Sequence, residues 1–282
     1  MINILQTKIP IGTWVEMLIG FFKNNLSFVF DAISVNLDKF IDGFVALLLY
    51  VPPFMLIGVI TAIAWFLTDR KISLFTVIGL GLVYNLELWD ATMETLALVS
   101  VSTFISLIIG IPLGILIARN DLANNLVTPV LDFMQTMPAF VYLIPAIMLF
   151  DIGTVPAAFA TVIFAMPPTI RLTSLGIRQV PKELIEASEA FGSTPRQKLF
   201  MVQIPLALPT IMAGINQSIM LTLSMVVIAA MIGAGGLGAL VIRGISRLDV
   251  GLGFESGLGV VILAIILDRI TQSLGKGKKL TH

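Results

Sequence analysis

Few residues in this sequence could do chemistry, and most of them sit close together. Residues 186–209 read EASEAFGSTPRQKLFMVQIPLALP: two acids, two cations, a glycine and three prolines set between two oily segments. Covalent catalysis has no foothold. There is no cysteine, the single histidine is His282 at the last position, and no histidine or carboxylate pair accompanies the serines of the apolar segments. What the spacing supports is a shaped protein surface. Pro181 suits the first position of a helix, where its missing N–H costs nothing, and Leu184, Ala187 and Phe191 form an apolar stripe along it. Gly192 stops that helix as a residue able to take positive φ. Thr194, Pro195, Arg196 and Gln197 restart a second one as a capping box, which Pro205 and Pro209 should end. The carboxylate of Glu186 can make a charge-assisted hydrogen bond, either with a partner or within the loop. A helical pair of this kind packs against its own bundle or engages another protein, and spacing leaves both open.

Two other groups of residues invite a reading. Gly233, Gly235 and Gly238 satisfy G-x-G-x-x-G, but the dinucleotide use of that pattern needs a preceding strand and a βαβ unit; here it follows an apolar run, so a tight turn is expected. No G-x-x-x-x-G-K-[ST] occurs, so a P-loop for ATP is not expected in this chain, nor is any metal site or other cofactor. Uncharged polar residues fall inside apolar segments: Gln135, Thr136 and Tyr142 in one, Asn216, Gln217, Ser218, Thr222 and Ser224 in another. Gln217, Met220 and Ser224 share a helix face, as do Ser218, Thr222 and Met225. Either face can hold helices together by hydrogen bonds or line a path for a neutral or zwitterionic solute.

The elements that must position these residues are membrane helices. The 282 residues are 57% hydrophobic and 12% charged, about half the charge of a soluble domain. Apolar runs of about 20 residues match a hydrocarbon core of roughly 30 Å. Spans are expected at 43–67, 72–90, 93–117, 127–150, 153–172, 211–234 and 256–273, with 72–90 the shortest in apolar content and Pro52–Pro53 kinking the first. Residues 1–42, with Trp14, Met17, Leu18, Phe21 and Phe22 at helical spacing, fit an amphipathic helix lying in the interface. With the polar insert in the cytosol, 12 of the 17 Lys and Arg residues fall on the cytosolic side, which places the amino terminus outside and the carboxyl terminus inside. Zero net charge gives no reason to expect nucleic acid. Ion-coupled carriers place acids at mid-depth, and the scarcity of such acids counts against that class.

Residues 186–209 resemble the EAA signature of bacterial ABC importer permeases, the Glu-Ala…Gly…Pro loop between two core membrane helices. Ser188 departs from it at the third small position. The similarity extends over VLDFMQTMPAFVYLIPAIMLF and LSMVVIAAMIGAGGLGALVIRGISRLDVGLGF, which are similar to the glycine betaine/proline betaine permeases of that family. This resemblance implies an all-α polytopic membrane protein with a type I (MetI-like) core of five transmembrane helices over 92–273. Two further membrane helices over 43–91, the 1–42 segment and a tail over 274–282 complete it. It implies a coupling loop at about 173–210 in which Glu186, Ala187, Ser188, Gly192, Pro195, Arg196, Phe200 and Pro205 meet a groove on a cytoplasmic ATPase. It also implies a homodimer in membrane lipid, two ATPase subunits holding ATP and magnesium, and a separate extracytoplasmic or lipid-anchored substrate-binding protein. Gln135, Thr136, Tyr142, Gln217, Met220 and Ser224 are the residues expected along the translocation path.

Overall fold

The computed structural model describes residues 10–275, which are helical almost throughout and include no strand. Lys8, Lys276, Lys278, Lys279 and His282 lie outside the described residues. In chain order the helices begin with α1 (Ile11–Tyr50), α2 (Pro53–Leu67), α3 (Arg70–Asn85) and α4 (Trp89–Arg119). There follow α5 (Asp121–Thr136), a 3-10 turn (Ala139–Tyr142), α6 (Leu143–Phe150) and α7 (Thr154–Arg178). The chain closes with α8 (Lys182–Ala190), α9 (Pro195–Gln197), a π turn (Lys198–Gln203), α10 (Ile204–Ala230), α11 (Gly236–Arg247) and α12 (Val250–Gly275).

α4, α7 and α10 form the centre, and small residues bring them together. A Cβ on Gly114 of α4 would stand 2.6 Å from Cβ of Thr173, and one on Gly214 of α10 would stand 3.0 Å from Cβ of Leu172. Only glycine lets both neighbours lie this near α7. Lipid tails are as apolar as leucine, so close backbone approach and hydrogen bonds must hold such a bundle. Ser218 Oγ donates to the Ala165 carbonyl at 2.6 Å, Ser106 Oγ reaches that of Val162 at 3.2 Å, and the Thr103 and Thr222 hydroxyls meet at 3.3 Å. α2 and α3 make a hairpin against α12. Its open end is tied to α4 through Phe54, Tyr84 and Trp89, with ring centroids 5.1 Å and 6.2 Å apart.

Among the described residues, four helices are long and apolar enough to cross a bilayer alone: α4, α7, the continuous helix Pro195–Ala230, and α12. Two bent pairs would raise the number to six, against the seven spans expected. The 43–67 segment bends at Pro52–Pro53, as expected, but by about a right angle. α1 runs on to Tyr50 and meets α2 at 101°. Val51 and Pro52 each precede a proline and take extended ψ values of 128° and 136°, because a residue before proline is pushed out of the helical region. The 127–150 segment breaks the same way: Met137 and Pro138 are extended, and α5 bends from the following helix by 109°. α3, at 16 residues, rises about 24 Å at 1.5 Å per residue, short of a full crossing. Of the 1–42 segment, residues 11–42 form most of α1, which has non-helical geometry at Leu26, just past Asn24 and Asn25. α1 buries Ile41 against α4, α6 and α7, pairs Lys23 with Asp151 at 3.7 Å, and leaves Trp14, Met17, Leu18 and Phe21 exposed.

Candidate functional site

The polar insert folds by its own local rules. α8 ends at Ala190 with Phe191 as its cap, and Gly192 follows with φ +77°. The Gly192 N–H donates to the Glu189 carbonyl at 2.8 Å and the Ser193 N–H to that of Ser188 at 3.1 Å, the two bonds of a Schellman stop. Thr194 then opens α9. Its Oγ1 accepts from the Gln197 N–H at 3.3 Å, while its own N–H donates to Gln197 Oε1 at 2.9 Å. Lys198 donates to Glu189 across the corner, and Ser188 turns its hydroxyl inward to the Ile185 carbonyl at 2.8 Å. Glu186, Ala187, Pro195 and Arg196 are exposed, and so are Phe191 at 92%, Met201 at 74% and Phe200 at 55%. Leu199 is buried, in a cluster with Ile177, Ala207 and Ile211. An apolar patch on a rigid polar corner has the form of a protein-binding surface.

One expectation for this region fails. Pro205 and Pro209 do not end the second helix; it runs unbroken from Pro195 to Ala230. Pro205 occupies the first turn of α10, just after the π turn, and Pro209 lies inside α10. A π turn re-pairs backbone groups at a wider spacing, next to a proline that has no N–H to give. The second insert helix and the central membrane helix are therefore one rod.

The two polar faces foreseen on α10 part company. Ser218, Thr222 and Met225 are buried in helix–helix contacts, whereas Gln217, Met220 and Ser224 are exposed. Gln217 and Met220 line a groove of about 520 Å³ together with Met212, Asn216 and Gln272. Of the other path residues, Gln135 and Thr136 are exposed at the end of α5. Tyr142 is buried, and its hydroxyl donates to the Met134 carbonyl across the 109° bend, so it clasps that bend.

Several polar contacts escaped the sequence. Asp132 and Asp121 of α5 pair with Arg171 and Arg178 of α7, the second at 2.8 Å. Asp268 of α12 accepts from Asn216 at 2.7 Å and from Gln272 at 2.9 Å. Its side chain is only 16% exposed. The first three of these pairs join residues far apart in the chain, and only Asp268–Gln272, at i and i+4, had a readable spacing.

At the other end of α10 the glycine-rich motif forms the expected turn and then, unforeseen, α11. Gly233 and Gly236 have φ of +97° and +77°. The Gly236 N–H donates to Glu94 Oε2 at 2.6 Å and the Leu237 N–H to Thr95 Oγ1 at 2.8 Å. α4 thus caps α11.

A helical membrane bundle whose central helix extends into an exposed, capped corner defines a class. The model of the family described as binding-protein-dependent transport system inner membrane component matches residues 110–278, and the chain belongs to this family of ABC importer permeases. It is 52% identical over 272 residues, 96% of each chain, to the glycine betaine transport system permease protein OpuAB of Bacillus subtilis (strain 168). It is 50% identical to the glycine betaine/proline betaine permease ProW of Escherichia coli (strain K12), covering 97% of this chain and 77% of that one. Among solved structures, an inward-facing MetNI methionine ABC transporter matches 67% of this chain and 93% of its own with a TM-score of 0.55 at 28% identity. The chain is a multi-pass membrane protein and a translocation subunit, and membership of the family implies an ATPase and a substrate-binding protein as partners.

Proposed function

We propose that this chain carries glycine betaine and related quaternary-ammonium osmoprotectants inward across the plasma membrane. Two copies pair, and each presents its α8–α9 corner to one of two cytoplasmic ATPase subunits. The amino terminus is outside and the carboxyl terminus inside. ATP and magnesium are bound by the ATPase, and this chain needs no cofactor of its own. A separate extracytoplasmic or lipid-anchored binding protein delivers the solute. The substrate assignment rests on relatives named for glycine betaine that match nearly the whole chain at 50% identity or more.

The observation that carries the coupling role is the continuity of the insert with α10. A push or tilt applied at Arg196 or Phe200 acts on the same rod that bears Gln217, Met220 and Ser224, and one at Phe191 reaches it through the corner. The corner cannot absorb the motion, because two backbone–backbone hydrogen bonds around Gly192 and two backbone–side-chain bonds between Thr194 and Gln197 pin it. Glu186, Ala187, Ser188, Pro195 and Pro205 shape the surface that enters the ATPase groove.

Reconstitution in liposomes with the ATPase and the binding protein tests this reading. Labelled glycine betaine should accumulate only when ATP is supplied, and the purified chain alone should hydrolyse none. Uptake driven by an ion gradient without ATP would instead identify a secondary carrier.

A further inference from the structure

Two helices too short for an ordinary bilayer stand together on one flank. α2 carries no charge over its 15 residues, a rise of about 22 Å. In α3 the uncharged run lies between Lys71 and Asn85, which are about 21 Å apart along the axis. Exposed charges close both ends: Asp69, Arg70 and Lys71 at the α2–α3 turn, Glu87 and Asp90 at the α3–α4 turn. α12 beside them repeats the length. Glu255 and Asp268 bound its uncharged run and stand about 20 Å apart.

These runs lie at one level. A Cβ on Gly79 of α3 would stand 2.8 Å from Cγ2 of Ile262 of α12. Gly259 packs on Leu237, whose N–H is held by Thr95 of α4 just beyond the α3–α4 turn, so α3 and α12 run antiparallel. Counted from the Gly79–Ile262 contact, Lys71 and Arg269 lie eight and seven residues away in one direction, and Glu87 and Glu255 eight and seven in the other. Three helices thus share an apolar band of about 20 Å, against a hydrocarbon core of roughly 30 Å. Tilt would only shorten the band. Snorkelling does not extend it either, because the Arg70 guanidinium folds back over the Trp65 ring, 5.5 Å from its centroid, and an Asp69 side chain is too short to reach away. Trp65 and Tyr84 stand near the two ends, where amphipathic rings favour the headgroup level. Between them the exposed side chains are apolar: Phe54, Val59, Ile63 and Phe66 on α2, Leu74 and Ile78 on α3.

We propose that the α2–α3 hairpin and the adjoining face of α12 form a lipid-binding flank that crosses the membrane by thinning it locally, and that selects phospholipids with short acyl chains as neighbours. A bilayer of ordinary thickness would draw the charges at one end of the band into hydrocarbon, which costs far more than compressing the lipid beside it. The flank therefore spans despite its length. It depends on the chain being a membrane protein and not on which solute passes.

Two measurements on the full-length chain test this. The sequence has no cysteine, so Lys71→Cys and Glu87→Cys each provide a single exposed thiol. An impermeant maleimide should label the two from opposite faces of the membrane; labelling of both from one face would make the hairpin a re-entrant loop and overturn the proposal. Trp65 reads the lipid directly. Of the three tryptophans, Trp14 is exposed and is removed as Trp14→Phe, and Trp89 is only 6% exposed, so it adds background without lipid contact. The Trp14→Phe chain is reconstituted in brominated dioleoylphosphatidylcholine, which should quench Trp65. Unbrominated dimyristoleoylphosphatidylcholine should then relieve the quenching about twofold more effectively than unbrominated dioleoylphosphatidylcholine. Equal relief by the two, or better relief by the longer chain, overturns the short-chain preference. Absence of quenching by brominated lipid also overturns the proposal, because a second copy or another protein would then cover the face. Neither measurement involves an ATPase or a solute, so their failure leaves the proposed function standing, and loss of ATP-driven uptake leaves the flank standing.

Discussion

The long rod that ends in α10 is joined to its neighbours by a glycine corner at each end, and the corners are built by opposite means. At Gly192 a Cβ would meet nothing within 4 Å; the turn is made entirely by local bonds, and Phe191 beside it is 92% exposed. At the other corner a Cβ on Gly235 would meet Glu94 Oε2 at 2.4 Å, one on Gly236 would meet Thr95 Oγ1 at 2.4 Å, and one on Gly238 would meet the Val226 carbonyl oxygen at 2.3 Å. The first corner needs glycine for its backbone angle and keeps its surroundings free. The second needs glycine for its backbone angle at Gly233 and Gly236 and also for space, because α4 and α10 close around it. A corner that folds alone and exposes an aromatic ring is made to be touched from outside. A corner enclosed by two helices is part of the frame.

The sharpest way to break this comparison is to ask whether the two corners lie on opposite sides of the membrane. A cysteine at Ala190 should react with a membrane-impermeant maleimide only in inside-out vesicles, and one at Ser246 only in right-side-out vesicles; both positions are exposed. Labelling from the same side would end the coupling reading. Next in size is Gly192→Val. A β-branched residue at φ +77° is strained by more than about 1 kcal/mol, and the two insert helices lose their relative angle. ATP-driven uptake should fall to background while membrane insertion and dimerisation persist. Normal transport by this variant would make the insert a passive loop.

Gly238→Ala probes the frame. Its methyl group would press on a backbone carbonyl that cannot step aside, so the loss should be about 3 kcal/mol, at the upper end for overpacking. A lowered melting temperature of the purified protein in detergent measures it. The smallest effect is expected from the caps. Glu94→Gln removes a charge-assisted cap from α11 and Thr194→Ala removes the capping-box hydroxyl from α9, each at about 1 kcal/mol. Their contrast is more telling than their size. Glu94→Gln should lower the melting temperature of the whole bundle, whereas Thr194→Ala should leave it nearly unchanged and be seen as faster hydrogen exchange over 195–203.

Sequence alone determined whatever depends on neighbours along the chain. The helix stop at Gly192, the capping box at Thr194–Gln197, the turn at the glycine-rich motif and the apolar character of α4, α7, α10 and α12 all follow from residues a few positions apart. Prolines show where this reach ends. Pro52 and Pro138 sit at breaks of about a right angle, while Pro112, Pro129, Pro167, Pro168 and Pro209 lie inside helices, since neighbouring helices decide whether freed backbone groups find partners. The division of α10 into a buried Ser218–Thr222 face and an open Gln217–Met220–Ser224 face was equally out of reach. Both have the same periodicity, and only the position of α7 distinguishes them. Tertiary structure also decided the cap that Glu94 places on α11 and the amide pair around Asp268. Each joins separate helices, and a hydrogen bond across 142 or 52 residues leaves no spacing in the chain to be read.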